Sequence, residues 1–267
     1  MNTFWVRLRS SFIFLALLVL CLYFGGVVLF SMLLFVSAVA LFEYDRALGL
    51  WGKAPATVVF ACLFVYMATV YFLPQAAFLV LFGVLLVLLT VYALSFPKFS
   101  IREVAEAAFG MIYVPVSLSF IYLIREMDQG IFLVWIVCIS AWGSDVFAYL
   151  FGSLLGKHQL APKLSPHKTV EGSLGGVLGA PAVMAVFGWI CQEEFYLFKQ
   201  PIVALAIIGL VGAVIGQIGD LAASAIKRDC GIKDFGSFIP GHGGFLDRFD
   251  SVLALAPAVY MLLLLVG

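Results

Sequence analysis

The chain has 267 residues, of which 64% are hydrophobic and 11% carry a charge, and its mean hydropathy is +1.14. Fifteen Lys and Arg balance fifteen Asp and Glu, so the formal net charge at pH 7 is zero. This composition excludes a sizeable soluble domain and indicates a chain that crosses a membrane several times. We predict one integral membrane domain over residues 1–267, surrounded by the lipid bilayer, and expect no nucleic-acid partner.

Nine apolar runs are long enough, or nearly long enough, to cross a bilayer as helices. Helices are expected because backbone polar groups in hydrocarbon must be satisfied within the segment. The runs are Ser11–Phe24, Val27–Phe42, Ala54–Leu73, Gln75–Phe96, Val104–Ile124, Gly130–Phe151, Gly172–Cys191, Pro201–Ile226 and Ser251–Val266. The first run has no small-residue cleavage site after it, so we interpret it as a retained helix. The predicted fold is all-α and polytopic, with about nine transmembrane helices.

The basic residues predict the orientation of these helices. With the N-terminus in the cytoplasm, thirteen of the fifteen Lys and Arg fall on the cytoplasmic side, and only Arg125 and Lys199 fall outside. Cytoplasmic loops of membrane proteins carry such an excess. The thirteen are Arg7, Arg9, Arg46, Lys53, Lys98, Arg102, Lys157, Lys163, Lys168, Lys227, Arg228, Lys233 and Arg248. We interpret Glu43, Asp45 and Arg46 as a solvated helix end.

The first group of candidate functional residues surrounds Asp145, in the sequence Trp142-Gly-Ser-Asp-Val-Phe-Ala-Tyr149. Asp145 lies some six residues, about 9 Å, inside the end of its helix. A carboxylate inside a membrane is a functional-site hypothesis by default. The alternative is a packing residue that is hydrogen-bonded to Ser144 or to a neighbouring helix.

The second group lies in the polar loop from Lys157 to Lys168 and the helix start that follows it. Ser165 and Thr169 are candidate N-caps, and the backbone N–H groups of a helix start favour phosphate. The lysines at 157, 163 and 168 add positive charge. The alternative is a basic anchor on the cytoplasmic side.

Two runs of glycines predict close packing of the seventh and eighth predicted helices, because small residues let membrane helices approach each other. The glycines are Gly172, Gly175, Gly176 and Gly179 in the seventh and Gly209, Gly212, Gly216 and Gly219 in the eighth.

The third group is the stretch from Gln217 to Asp250. Asp220, Ser224, Lys227 and Arg228 follow Gln217 along one helical stripe, and Asp220 lies about 10 Å below Lys227. The glycines of Gly241-His-Gly-Gly244 permit a tight turn and close backbone approach to a ligand. Asp247 and Asp250 stand three residues apart at the head of the last helix, where capping of the helix end is the alternative.

Eleven positions over the 27 residues from Ser224 to Asp250 resemble the signature of phosphatidate cytidylyltransferases (CDP-diacylglycerol synthases). They are Ser224, Lys227, Arg228, Lys233, Asp234, His242, Gly243, Gly244, Asp247, Arg248 and Asp250. The segment around Asp145 and the stretch from Ser165 to Gly172 are also similar to those of the family. The chain departs from the family at Val146, His167 and Val170.

The resemblance implies that a phosphate oxygen of phosphatidic acid attacks the α-phosphorus of CTP, so that CDP-diacylglycerol forms and pyrophosphate leaves. Carboxylates without clustered Cys or His suit Mg²⁺ as the cofactor. Asp220 and Asp247 are expected to hold the metal, with Asp250 as a third ligand or a supporting group. The expected catalytic residues are Asp220, Lys227, Arg228, Asp247, Arg248 and Asp250. The expected substrate-binding residues are Asp145, Lys157, Ser165, Lys168, Thr169, Glu171, Ser224, Lys233, Asp234, His242, Gly243 and Gly244.

The same resemblance implies a multi-pass protein of the cell (inner) membrane with its active site on the cytoplasmic side. Residues 1–100 would form N-terminal helices, and residues 101–267 the catalytic helices and cytoplasmic loops. CTP and phosphatidic acid are the expected substrates, and a homodimer is a further expectation. The alternatives are a CTP-dependent enzyme with another lipid acceptor, such as an archaeol-type lipid or a polyprenol, and a secondary transporter. A transporter would be expected to show paired broken helices in two repeated halves.

Overall fold

The computed structural model describes residues 3–238 and 243–266, with the side chains of residues 3–8, 10, 11 and 266 left out. Ten helices account for most of this part of the chain. They are α1 Thr3–Phe24, α2 Gly26–Ala47, α3 Ala54–Phe72, α4 Ala77–Ser95, α5 Ile101–Met111, α6 Ser117–Arg125, α7 Gly130–Leu155, α8 Val170–Ile190, α9 Pro201–Asp229 and α10 Leu246–Val266. A 3₁₀ turn, Pro74–Ala76, leads into α4, and a π turn, Ile112–Val116, joins α5 to α6.

Eight helical spans in the described residues are long and apolar enough to cross a membrane. Helices α5 and α6 with the π turn between them form one such span, Ile101–Arg125. The part of α1 whose side chains are all described, Phe12–Phe24, is a shorter apolar helix. The predicted all-α, polytopic membrane fold is therefore confirmed. Its orientation stays a prediction.

Two local expectations about the fold are wrong. The polar interval expected as a loop contains an antiparallel hairpin of β1, Gln159–Ala161, and β2, Ser165–Thr169, because its polar backbone groups find partners in each other. Helix α10 begins at Leu246, five residues before the predicted start at Ser251. Carboxylates are favourable near a helix N-terminus. The charged residues just before the apolar run therefore form the first turn of this helix.

The described residues form two compact units. The first comprises those of 1–123 and 230–249, and the second those of 124–229 and 250–267. The core of the first unit includes the fully buried Leu33, Leu63 and Met67, and a buried hydrogen bond of 3.0 Å joins the hydroxyls of Tyr66 and Ser119. That these units act as a single membrane domain stays a prediction.

In the second unit α7, α8 and α9 pack against one another, and their glycines bring the backbones close. A Cβ at Gly175 or Gly179 of α8 would overlap Phe151 or Phe147 of α7. A Cβ at Gly209 of α9 would lie 2.6 Å from Met184 of α8. The predicted packing role of the glycines is confirmed. The glycines of α8 face both neighbouring helices, since Gly175 and Gly179 leave room for the two aromatic side chains of α7 and Gly176 leaves room for Gln217 of α9.

Candidate active site

The second unit contains a cavity of about 390 Å³ between α7, the hairpin, α8 and α9. Its size falls within the usual range of small-molecule sites. The polar side chains that line it include Asp145 from α7, Lys168 from β2, Ser173 from α8, and Gln217 and Asp220 from α9. Residues predicted from separate parts of the sequence therefore meet at one place.

Among the described residues that line this cavity, Asp145 and Asp220 supply carboxylates and Lys168 supplies an ammonium group. Lys168 Nζ donates a hydrogen bond to Asp220 Oδ2. The side chains of Lys168 and Asp220 are 30% and 29% exposed. Asp145 lines the same cavity. Helix rise alone predicted that Asp145 and Asp220 reach similar depths, and the shared cavity agrees with it.

Gln217 fixes the positions of three helices beside these charges. Its Oε1 accepts a hydrogen bond from the Ser173 hydroxyl, while Nε2 donates to Ser173 O at 3.1 Å and to Ser144 Oγ at 3.3 Å. A Cβ at Gly176 would lie 2.9 Å from Gln217 Nε2, so the glycine leaves room for the amide. Sequence reasoning assigned no role to Gln217, although a polar residue on the stripe of Asp220 was a usable signal.

Glu171 ties the start of the hairpin to the start of α8. Its Oε2 accepts from Lys157 N at 3.1 Å and His158 N at 3.2 Å, and its Oε1 lies 2.6 Å from His158 Nδ1. Thr169 Oγ1 accepts from Gly172 N at 3.1 Å, which confirms Thr169 as the N-cap of α8. The N-cap expectation for Ser165 is wrong, since that residue begins β2, four positions before the cap.

The two basic residues at the end of α9 also have partners in the second unit. Arg228 Nε donates to Leu164 O, next to β2, at 3.3 Å, and Lys227 Nζ lies 3.9 Å from Asp250 Oδ2. Ser224, one turn below, is buried. Arg228 is exposed, so it combines a contact to the hairpin with access to solvent.

Asp247 makes two backbone contacts within the signature stretch of the first unit. Asp247 Oδ2 accepts from Phe235 N at 2.9 Å and from Gly244 N at 3.0 Å. Both N–H groups lie before α10, so Asp247 stabilises the loop that leads into this helix, and the capping role considered as an alternative belongs to another residue. Gly243 has a φ of 83°, a conformation that side chains other than glycine rarely adopt. The exposed side chains here are Lys233, Asp234 and Arg248. The predicted substrate-binding residue His242 lies outside the described residues.

Glu43, interpreted from the sequence as part of a solvated helix end, has a structural role at the start of α10. Its Oε1 accepts from Phe245 N at 3.2 Å and its Oε2 from Leu246 N at 2.9 Å, so it caps the start of α10. Its side chain is 1% exposed, and a Cβ at Gly244 would overlap its carboxylate. The interpretation of a solvated helix end is wrong for Glu43, because the unpaired N–H groups of a helix start attract a carboxylate. It is also wrong for Asp45, which is fully buried, although none of the described residues donates a hydrogen bond to its carboxylate.

The donor set of the cavity fits Mg²⁺ in its chemistry. Mg²⁺ takes oxygen ligands and is often held by one or two carboxylates together with substrate phosphates. Asp145 and Asp220 supply two carboxylates to one cavity. No three Asp, Glu, His or Cys side chains in the described part of the chain lie close enough to hold a metal by themselves. The expected metal site of Asp220 with Asp247 would join residues of different units and stays a prediction.

Comparison with known proteins identifies the family. The sequence profile of the cytidylyltransferase family matches residues 5–266. A phosphatidate cytidylyltransferase of Bacillus subtilis is 41% identical over 186 residues, which are 69% of this chain and 67% of the relative. Proteins of the same name from Staphylococcus saprophyticus and Staphylococcus aureus are 38% and 35% identical over 67% of this chain and 66% of each relative. The chain therefore belongs to the cytidylyltransferase family of nucleotidyltransferases, which confirms the resemblance carried by the stretch from Ser224 to Asp250.

Proposed function

We propose that this membrane cytidylyltransferase transfers the cytidylyl group of CTP to phosphatidic acid, forming CDP-diacylglycerol and pyrophosphate. The proposal rests on the cavity of the second unit, where Asp145, Asp220 and Lys168 meet in a chain of this family. The names of the relatives support the nucleotide and the lipid acceptor.

The reaction needs charge neutralisation more than proton transfer. A phosphate oxygen of phosphatidic acid is already anionic at neutral pH, so it can form the bond to the α-phosphorus of CTP without a strong base. The bond from that phosphorus to the bridging oxygen breaks, and pyrophosphate leaves with the electron pair. Lys168, Lys227 and Arg228 would align the two anions and offset their repulsion, and placement of this kind can account for much of a rate enhancement.

A bound Mg²⁺ would supply further positive charge beside the triphosphate. Asp220 and Asp145 are the carboxylates that would hold it in the second unit, and Asp250 and Asp247 remain the predicted further ligands. The ion pair of Asp220 with Lys168 means that the metal and the ammonium would compete for one carboxylate.

We also propose that the cavity opens towards the cytoplasm, where CTP is made. The support is the excess of Lys and Arg in the loops that this orientation places inside. A multi-pass protein with bacterial relatives fits a cell membrane.

Pyrophosphate release from the purified protein in detergent tests the function. We expect release only when CTP, Mg²⁺ and phosphatidic acid are all present, with little from ATP, GTP or UTP. Diacylglycerol, an archaeol-type lipid and a polyprenol replace phosphatidic acid in parallel reactions, and Asp220→Asn is the inactive control. Equal release with another acceptor, or none with phosphatidic acid, would contradict the proposed reaction.

A further inference from the structure

The first unit contains an apolar groove that the reaction above leaves without a role. Its volume is about 340 Å³, and it lies between α1, α2 and the start of α10. Leu17 of α1, Phe35 of α2, and Phe245 and Phe249 beside the signature are among its lining residues. Phe35 and Phe245 contact each other edge to face with ring centroids 5.7 Å apart.

The described side chains that line this groove include a single charged one. Among the described residues that line it, Arg9 is the only one with an ionisable group, and Arg9 is exposed. A guanidinium binds phosphate oxygens in a forked geometry. An apolar groove with a guanidinium beside it has the chemistry of an acyl chain that ends in an anionic phosphate.

The groove also adjoins the signature stretch within the first unit. Phe245 and Phe249 stand two residues before and two residues after Asp247, and Phe249 is about 3 Å further along the rise of α10. Arg248 lies between them in sequence and is exposed. A lipid chain held against the two aromatic rings would therefore carry its head group to the residues predicted to act on phosphate.

Hydrophobic burial cannot explain why a lipid would choose this groove. Acyl chains of the bilayer are as apolar as the groove, so a chain gains no hydrophobic free energy by moving into it. Selection must come from the shape of the groove and from the charge of the head group. A role in substrate binding would consequently appear in the KM for the lipid and leave the KM for CTP unchanged.

We propose that this groove holds one acyl chain of the phosphatidic acid substrate, with the phosphate directed towards Arg9. The inference rests on the proposed function, because it takes phosphatidic acid as the acceptor. It adds a chain-binding site on α1 and α2 to a reaction otherwise assigned to the C-terminal half.

A matched pair of tryptophan substitutions on α1 tests the groove. Leu17 lines it, whereas Leu20 does not, and the two are 54% and 52% exposed. In mixed micelles, we expect Leu17→Trp to raise the KM for long-chain phosphatidic acid at least fivefold, with little change for a dioctanoyl substrate or for CTP. Leu20→Trp should match the unsubstituted protein. Arg9→Gln should raise the KM for both chain lengths. Equal KM values for the two tryptophan variants would overturn the proposal.

A measurement of binding separates this inference from the proposed function. Phosphatidic acid with a photoreactive group on its chain should label peptides of α1 and α2, and unlabelled phosphatidic acid should compete better than phosphatidylcholine. This labelling is expected even if pyrophosphate release fails. Equal competition by the two lipids would mean that the groove holds ordinary bilayer lipid, which would refute the proposal while leaving the reaction intact.

Discussion

Glu43 supports the sharpest prediction about stability, because its carboxylate alone holds two backbone N–H groups at the start of α10. Glu43→Gln keeps the size and shape of the side chain but removes the charge and one of the two acceptor oxygens. Phe245 N or Leu246 N would then face an amide NH₂ group in a buried place. We expect the segment around Gly244 to open more often, while the rest of the protein stays folded.

The size of the effect follows from the two hydrogen bonds. A hydrogen bond to a charged group contributes about 1.5–3 kcal/mol, and a neutral one about 1 kcal/mol. Replacing two charged bonds by one neutral bond should therefore cost roughly 2–5 kcal/mol of local stability. Since about 1.4 kcal/mol corresponds to a factor of ten, the opening equilibrium should shift roughly 30-fold to several thousand-fold.

Hydrogen exchange measured by mass spectrometry reports this opening directly. Peptides covering residues 243–249 should exchange faster in Glu43→Gln by that factor, and kcat should fall because Asp247 and Arg248 lie in the same segment. The exposed Glu126→Gln is the control for removing a carboxylate elsewhere. Unchanged exchange and full activity in Glu43→Gln would refute the reasoning.

Three further predictions concern the catalytic charges and the orientation. Asp220→Asn and Asp247→Asn should each abolish most Mg²⁺-dependent product formation in a protein that stays folded in detergent. If both residues serve one site, the double variant should lose little more activity than either single variant. Losses that multiply in the double variant would mean that the two residues belong to separate sites. Lys227→Ala should slow turnover without reducing the amount of protein in the membrane, and normal turnover would favour an anchoring role. With native cysteines removed, an impermeant reagent should label a cysteine at position 199 but not at position 233 from outside intact cells; the reverse pattern would disprove the orientation.

The sequence was sufficient to predict features within one helix and the depth of a residue below a helix end. Asp145 and Asp220 could be placed in one layer of the membrane because helix rise is constant. The capping of α8 by Thr169 followed from a local pattern. The family could be identified from the closely spaced positions between Ser224 and Asp250.

Contacts between distant parts of the sequence were not accessible. Glu43 is separated from its two hydrogen-bond partners by 202 and 203 positions in the sequence. The residues near Glu43 contain no pattern that predicts these partners. Asp145 was singled out because it is a carboxylate within an apolar run. The same criterion, applied to every such carboxylate, would have identified Glu43. The hairpin was missed for another reason, since strands of three and five residues are too short to show a clear alternation of apolar and polar side chains.

Two hydrogen bonds hold the hairpin between α7 and α8 in place. Glu171 accepts one from the backbone just before the hairpin, and Arg228 donates the other to Leu164 near the turn. Such a segment tolerates changes of side chain more easily than changes of length. A slip of one residue in a strand turns every side chain to the opposite face. One inserted residue between Leu164 and Lys168 would therefore point the ammonium away from Asp220, even though every original residue is retained. The number of residues in this segment is therefore more tightly constrained than the identity of the residues at its exposed turn.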